Sequence, residues 1–175
     1  MGHLSLIPVT DVALREDVRP DDREAVRAIV ERTGFFRSDE VAIAVELVEE
    51  HLSRGPASGY HFVFADAGDD VAGYACYGPI ACTASSYDLY WVAVNPQFQR
   101  KGIGRILVTA VESRIAAAGG TRIYVDTSGR PQYAPTRAFY ESCDFRREAR
   151  LTDFYAAGDD RLIYLKILRC GATSV

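Results

Sequence analysis

The first third of the chain contains two patterns of apolar residues that are typical of amphipathic helices. The first follows Pro20 and carries apolar residues three to four positions apart, which places them on one face of a helix. The second spans residues 38–54 and ends at a Gly-Pro pair, which a helix does not continue through. A short alternating segment in front of both, at residues 12–15, predicts a first strand.

The next apolar segments alternate more strongly and predict strands. Tyr60–Ala65 and Val71–Tyr77 flank Gly68-Asp69-Asp70, a turn sequence that predicts a hairpin. Asp88–Val94 is a further strand, rich in aromatic and β-branched residues. A long helical pattern then runs over residues 102–118 and ends at a pair of glycines.

The last third of the chain predicts a strand, a short helix and two more strands. Their ranges are 122–127, 135–142, 147–151 and 162–168. The complete order is β-α-α-β-β-β-α-β-α-β-β, which indicates an α/β fold with a mixed sheet. No linker, repeat or low-complexity segment interrupts the sequence, so residues 1–175 are expected to form a single domain.

The junction between the aromatic strand and the long helix carries the most specific chemistry. The strand stops at Asn95-Pro96, a basic turn follows, and Gly102-Ile103-Gly104 opens the helix. The first N–H groups of a helix have no intrahelical partner and lie at the positive end of its dipole. Glycines let a ligand approach this backbone closely. A phosphate group is the ligand that such a junction favours.

Two other phosphate loops do not fit these residues. A P-loop needs Gly-x-x-x-x-Gly-Lys-Ser/Thr, which is absent, and the dinucleotide fingerprint needs a third glycine where Leu107 stands. The remaining pattern, Gln99-x-x-Gly-x-Gly after a strand, resembles the pyrophosphate-binding motif of the GNAT superfamily of acyl-CoA-dependent N-acetyltransferases. The resemblance extends over residues 71–167, and the predicted order of elements is also that of the GNAT fold.

This resemblance implies acetyl-CoA as co-substrate and assigns two groups of residues to it. The backbone of the strand before the loop would pair with the pantetheine arm, at Val92, Ala93 and Val94. The loop and the first helical turn would hold the pyrophosphate, mainly through backbone N–H groups, at Gln99, Arg100, Lys101, Gly102, Ile103, Gly104 and Arg105. No metal is implied.

A second segment, Thr136–Phe145, resembles the family motif in which a helix with a Phe-Tyr pair ends in Gly-Phe. Tyr140 falls on the frequent general acid of the family, which protonates the sulfur of coenzyme A; the alternative is a tyrosine that packs in the core. The chain departs from the motif at two positions. Tyr133 replaces an asparagine, and Asp144 replaces the glycine, although aspartate tolerates a left-handed conformation.

The general base has three candidates. Asp88 stands at the offset of a glutamate that deprotonates the amine in the histone-acetylating members of the family, and aromatic surroundings would raise its pKa. It could equally be a strand-edge aspartate that faces solvent. Asp126, near the end of the next strand, is a second candidate base or an amine anchor, and water-mediated proton removal is the third. The acidic loop predicted around Asp153 and Asp159-Asp160 could recognise a cationic amine or simply form a turn.

Composition narrows the class of protein further. A net charge of −4 argues against a nucleic-acid partner, so the basic loop is a local feature. No apolar segment is long enough to span a membrane, and no signal segment begins the sequence, which together predict a cytoplasmic protein. Four cysteines without CxxC spacing are expected to be reduced thiols: Cys76, Cys82, Cys143 and Cys170.

The sequence thus predicts an N-acetyltransferase that moves acetyl from acetyl-CoA directly to a primary amine of a small molecule or peptide. A monomer and a homodimer are both compatible with it. One alternative is a non-catalytic acyl-CoA-binding or sensor module on the same fold, which would not depend on Tyr140. The other is a structural or partner-binding domain without a cofactor.

Overall fold

The computed structural model describes residues 12–168, and the predicted order of elements is confirmed there. Cys170 lies outside the described residues. The seven strands within the described range are β1 (Val12–Arg15), β2 (His61–Ala67), β3 (Asp70–Pro79), β4 (Ser86–Val94), β5 (Arg122–Ser128), β6 (Arg146–Ala156) and β7 (Asp159–Ile167). The four α-helices of this range are α1 (Asp22–Thr33), α2 (Ser38–Arg54), α3 (Ile103–Ala117) and α4 (Ala134–Ser142).

The strands form a mixed sheet in the order β1-β2-β3-β4-β5-β7-β6. β4 and β5 run parallel, and the connection between them contains α3, as a crossover between parallel strands requires. Their register pairs Ser86–Asp88 with Arg122–Tyr124. The next residues of β4 therefore lie beyond this parallel ladder. β7 pairs antiparallel with both β5 and β6, which leaves β6 at the edge of the sheet.

The described residues group into two compact units whose segments alternate along the chain. One unit contains residues 12–75 and 92–107, and the other contains residues 76–91 and 108–168. β3, β4 and α3 each begin in one unit and end in the other. Neither unit is therefore a continuous stretch of sequence.

The first unit packs α1 and α2 through the apolar stripes that the sequence predicted. Val26, Ile29 and Val30 of α1 are buried, and aromatic rings of β2 stack in the same core, with Phe62 and Phe64 centroids 5.7 Å apart. Arg15 of β1 lies over the Phe64 ring at 4.2 Å. Burial of these apolar surfaces, at about 25 cal/mol per Å², is the main term that stabilises the unit.

The second unit packs one face of β5 and β7 against the C-terminal part of α3 and against α4. The inward residues of the strands alternate with outward ones, as period-2 geometry requires. Lys166 of β7 ties this core together, because its ammonium donates to Glu112 of α3 at 2.7 Å and to the Cys143 carbonyl at 2.8 Å. The residues buried on this side include Val111, Ile115, Ile123, Val125, Tyr140, Leu162 and Tyr164.

The two C-terminal strands are longer than the sequence pattern predicted. β6 reaches Ala156 and β7 begins at Asp159, so the acidic loop expected here is a tight turn between paired strands. The pattern gave no signal for this extension because β6 is exposed along nearly its whole length and does not alternate. No helix within residues 12–168 has the length and apolar character needed to cross a membrane.

Candidate active site

The end of β4 is fixed by hydrogen bonds around Asn95. Its N–H donates to the Ala72 carbonyl at 2.9 Å, which continues the sheet one residue past β4, and its side-chain oxygen accepts from the Gln97 N–H at 3.3 Å. The Phe98 N–H donates to the Asn95 carbonyl at 2.8 Å and closes a 3-10 turn over Pro96–Phe98. Asn95 thus ends the strand and turns the chain toward the glycine loop.

The loop itself has two residues in the left-handed region. Arg100 has φ 59° and Gly102 has φ 79°. Turns that mix left- and right-handed residues tend to direct successive N–H groups toward one side, which makes them anion-binding concavities. The Ile106 N–H donates to the Gly102 carbonyl at 3.1 Å, so Gly102 is the last residue before α3. The first turn of α3 contains no acidic residue to compete with an anion.

The side chains of the loop have separate roles. Ile103 is 2% exposed, so it can reach a ligand only through its backbone N–H. The Gln99 amide donates to the Val94 carbonyl at 3.4 Å and braces the loop against the end of β4. The Lys101 ammonium lies 5.3 Å from the centroid of the buried Phe98 ring. The first unit thus holds together the whole predicted set from Val92 to Arg105.

Tyr140 lies in the second unit, on the buried side of α4. It is 6% exposed, and its ring packs against Phe145 and Tyr164 with centroids 5.7 and 6.4 Å away. Burial, followed by the nearby Cys143 and Asp126, raises the pKa of Tyr140 well above its usual value. The phenol therefore stays protonated at neutral pH and can act as a hydrogen-bond donor.

The turn after α4 keeps the geometry that a glycine would give. Asp144 has φ 66°, the left-handed conformation that the sequence predicted for it. Its N–H donates to the Glu141 carbonyl and the Phe145 N–H donates to the Tyr140 carbonyl, both at 3.1 Å. Replacement of the glycine therefore leaves the turn intact.

Asp88 and Asp126 share one face of the sheet in the second unit. Asp88 pairs in register with Tyr124, and Asp126 follows two residues later on the same side of β5. Asp88 is half-buried, and desolvation, followed by the negative charge of Asp126, raises its pKa, while Arg161 of β7 opposes that shift. Arg161 forms an ion pair with Asp126. The two candidate bases are thus neighbours, but Asp126 is ion-paired with an arginine, whereas Asp88 is half-buried and has a raised pKa.

The sequence profile of the Acetyltransferase (GNAT) family matches residues 17–145. This chain belongs to the GNAT acetyltransferase family. The match includes the glycine loop, Asp88, Asp126 and Tyr140. No curated protein sequence matches the chain.

Solved structures of the GNAT fold resemble the chain over nearly its whole length. A protein from Desulfovibrio desulfuricans, described as a candidate acetyltransferase of the GNAT family, is 51% identical with a TM-score of 0.89, over 90% of this chain and 99% of its own. An aminoglycoside 6'-N-acetyltransferase in complex with coenzyme A is 18% identical with a TM-score of 0.72, over 90% and 97% of the two chains. The ribosomal-protein-S18-alanine N-acetyltransferase of Escherichia coli is 18% identical with a TM-score of 0.71, over 94% and 98%. The latter two likenesses show the fold alone.

The structure adds residues that the comparison of motifs with the GNAT family did not reveal. Arg137 of α4 donates from one guanidinium nitrogen to the Ser128 and Arg130 carbonyls, each at 2.9 Å, and so holds the loop between β5 and α4. Tyr133, which replaces the family asparagine, is buried in this loop. In the sequence, Arg137 is only a basic residue in a short helix. Its role could not be predicted because its partners are backbone carbonyls that the folded loop brings to it.

The carboxylates of Asp159 and Asp160 each have partners within the protein. Asp159 accepts from the Ser128 hydroxyl at 2.5 Å and pairs with Arg130 at 3.0 Å. Asp160 pairs with Arg150 at 2.5 Å and accepts from a backbone N–H of β6 at 2.9 Å. Both are buried at the start of β7, so the suggestion that they recognise a cationic amine is not supported by their contacts.

Proposed function

We propose that this protein transfers the acetyl group of acetyl-CoA directly to a primary amine of a small molecule or peptide. The observation that carries the proposal is the loop from Gln99 to Gly104, in a chain of an acetyltransferase family. Its left-handed residues, its helix N-terminus without acidic residues and its basic side chains suit a pyrophosphate. The residues present therefore fit coenzyme A, which supplies the activated thioester when bound.

The protein groups divide into those that hold the cofactor and those that transfer protons. The loop backbone, with Arg100, Lys101 and Arg105, holds the pyrophosphate, and the backbone of Val92–Val94 pairs with the pantetheine arm. Asp88, half-buried and unpaired among the described residues, accepts a proton from the incoming ammonium, which leaves a neutral amine nucleophile. Tyr140 donates its phenolic proton toward the departing sulfur. One proton per turnover returns to solvent.

A cytoplasmic location is part of the proposal. The three cysteines that the structure describes, Cys76, Cys82 and Cys143, are all free thiols, which suits a reducing compartment. Burial raises the pKa of the Cys76 thiol, so that cysteine is unreactive and structural. A direct transfer between two bound substrates does not require any of these thiols as an acyl carrier.

The test is release of free coenzyme A from acetyl-CoA in the presence of a panel of amines, followed by mass spectrometry of the acceptor. The panel contains amino acids, polyamines, aminoglycosides, N-terminal peptides and lysine peptides. An acceptor that gains an acetyl group, with loss of the rate in Tyr140→Phe, supports the proposal. Binding of acetyl-CoA without thiol release from any amine would favour the sensor module instead.

A further inference from the structure

One face of the second unit carries the carboxylates of Asp88 and Asp126 and the guanidinium of Arg161, on three neighbouring strands. Asp88 pairs in register with Tyr124 on β5, and Ser128 of the same strand pairs with Arg161 on β7. Residues paired across neighbouring strands share a face, and so do residues two apart along a strand. Asp88, Asp126 and Arg161 therefore project from the same side of the sheet.

Arg161 engages only one of the two carboxylates. Its guanidinium forms an ion pair and hydrogen bond with the Oδ2 atom of Asp126. The Phe154 ring lies on the guanidinium, with the central carbon 4.9 Å from the ring centroid. A planar guanidinium that is paired at one edge and stacked on an aromatic face is held in one orientation.

Asp88 is in the opposite situation. Among residues 12–168 it has neither a hydrogen bond nor an ion pair, and it is half-buried on β4. The titratable side chains that share this face with it in the unit are Tyr90 on its own strand, Arg122, Tyr124 and Asp126 on β5, Arg161 on β7 and Arg146 on β6. Of these, Asp126 and Arg161 are the charged groups that shift its pKa. The free carboxylate of this face is thus Asp88, while Asp126 is occupied.

We infer that Arg161 is the positioning residue that selects the general base. By binding Asp126, it removes that carboxylate from competition for the amine proton and leaves Asp88 to receive it. The step is a transfer of one proton from the ammonium nitrogen to a carboxylate oxygen of Asp88, with no change in oxidation state. Arg161 itself touches neither the acceptor nor the cofactor in this role. The inference rests on the proposed function for its catalytic meaning, but its electrostatic content is measurable without a substrate.

The test is a pH titration of the aspartate side-chain carboxyls by ¹³C NMR in the full-length protein without coenzyme A. Asp88→Asn identifies the Asp88 signal. The comparison is wild type against Arg161→Gln, Arg161→Lys and Asp126→Asn. Arg150→Gln is a matched control, because it breaks another arginine–aspartate pair on the C-terminal strands. Amide spectra of each variant report whether it remains folded.

Arg161→Gln is expected to raise the pKa of Asp88, because the positive charge that opposes the effect of Asp126 is lost. Arg161→Lys keeps the charge and should leave the pKa near that of wild type. Asp126→Asn should lower it, and Arg150→Gln should not change it. An Asp88 signal that does not respond to Arg161→Gln or to Asp126→Asn would overturn the inference.

If Arg161→Gln does not fold, Asp126→Asn still decides the matter, because it should lower the pKa of Asp88 while the charge-conserving Arg161→Lys leaves that pKa unchanged. Once an acceptor is known, the acid limb of the kcat/KM profile should follow the measured pKa of Asp88 in each variant. Failure of the proposed function would be seen separately, as absence of acetyl-CoA binding. The carboxyl titration would be unaffected by that outcome.

Discussion

Gly73 of β3 lies so close to Ala93 of β4 that a side chain does not fit between them. A Cβ atom at position 73 would meet the Ala93 carbonyl oxygen at 2.8 Å and the Leu107 Cδ1 atom at 3.2 Å. Ala93 belongs to the strand assigned to pantetheine, and Leu107 is buried in the helix that follows the glycine loop. This contact therefore fixes the spacing between the two elements that form the candidate cofactor site.

Gly73→Ala is predicted to destabilise the protein by about 1–3 kcal/mol, because overpacking forces the backbone or the Leu107 side chain to shift. Chemical denaturation with circular dichroism measures the free energy of unfolding. The control is Gly59→Ala, where φ is 80° and no atom lies within 4 Å of the added carbon, so only backbone strain of about 1–2 kcal/mol applies. In the folded fraction of Gly73→Ala, acetyl-CoA affinity should also fall, whereas in Gly59→Ala it should not.

Tyr140→Phe is predicted to lower kcat by about 10²–10⁴-fold while leaving acetyl-CoA affinity close to that of wild type. The ring contacts with Phe145 and Tyr164 are retained, so the variant should fold. Steady-state kinetics on an identified acceptor, together with calorimetry, separates the two effects. A variant with unchanged kcat would assign Tyr140 to the core rather than to catalysis.

Asp88→Asn is predicted to alter the pH dependence of stability. Because its pKa is raised in the folded state, Asp88 contributes stability below its unfolded pKa, and this contribution is lost as pH rises through the folded value. At pH 7 the asparagine variant should therefore be slightly more stable than wild type, by roughly a few tenths of a kcal/mol after solvent screening. The difference should vanish near pH 3. Denaturation curves at several pH values measure it, and a variant that is less stable at pH 7 would contradict the assignment.

Arg15→Met is predicted to destabilise the first unit by about 3–5 kcal/mol, since it leaves buried carboxylate charge without its partner. Arg15 pairs with Asp22 at 2.6 Å and with Asp66 at 2.7 Å, and the Asp22 side chain is 3% exposed. Methionine keeps an apolar side chain near Phe64, so the lost charge is the main change. Adding Asp22→Asn to Arg15→Met should recover part of the loss. If the double variant is less stable than Arg15→Met by the full cost of Asp22→Asn alone, the two residues are not coupled.

The order of elements could be predicted from the sequence because apolar period and turn residues are local signals. The stripe at Val26, Ile29 and Val30 and the breaks at glycine were sufficient for the helices. The full length of β6 could not be predicted, because an exposed edge strand has no alternation. The left-handed φ of Arg100 was also hidden, since arginine has no intrinsic preference for it.

The contiguous motifs of the candidate site could be predicted from the sequence, but its long-range contacts could not. The glycine loop and Tyr140 lie in contiguous motifs, so their resemblance to the GNAT family could be read directly. The pairing of Arg161 with Asp126 joins residues 35 positions apart and depends on the β5–β7 register. The same holds for Arg137, whose carbonyl partners exist only in the folded loop. Long-range polar contacts of this kind have no periodic signature in sequence.

The loop between β4 and α3 is the site proposed to bind acetyl-CoA. Isothermal titration of acetyl-CoA into wild type, the double variant Gly102→Glu, Gly104→Glu, and the control Gly68→Glu tests it most directly. Gly68 also has a positive φ, 65°, and open space around it, but it lies in the β2–β3 turn. Wild type and the Gly68→Glu control should bind acetyl-CoA, and the loop variant should lose this binding. A folded wild type that does not bind acetyl-CoA, or a loop variant that binds it as tightly as wild type, would show that this loop is not the cofactor site.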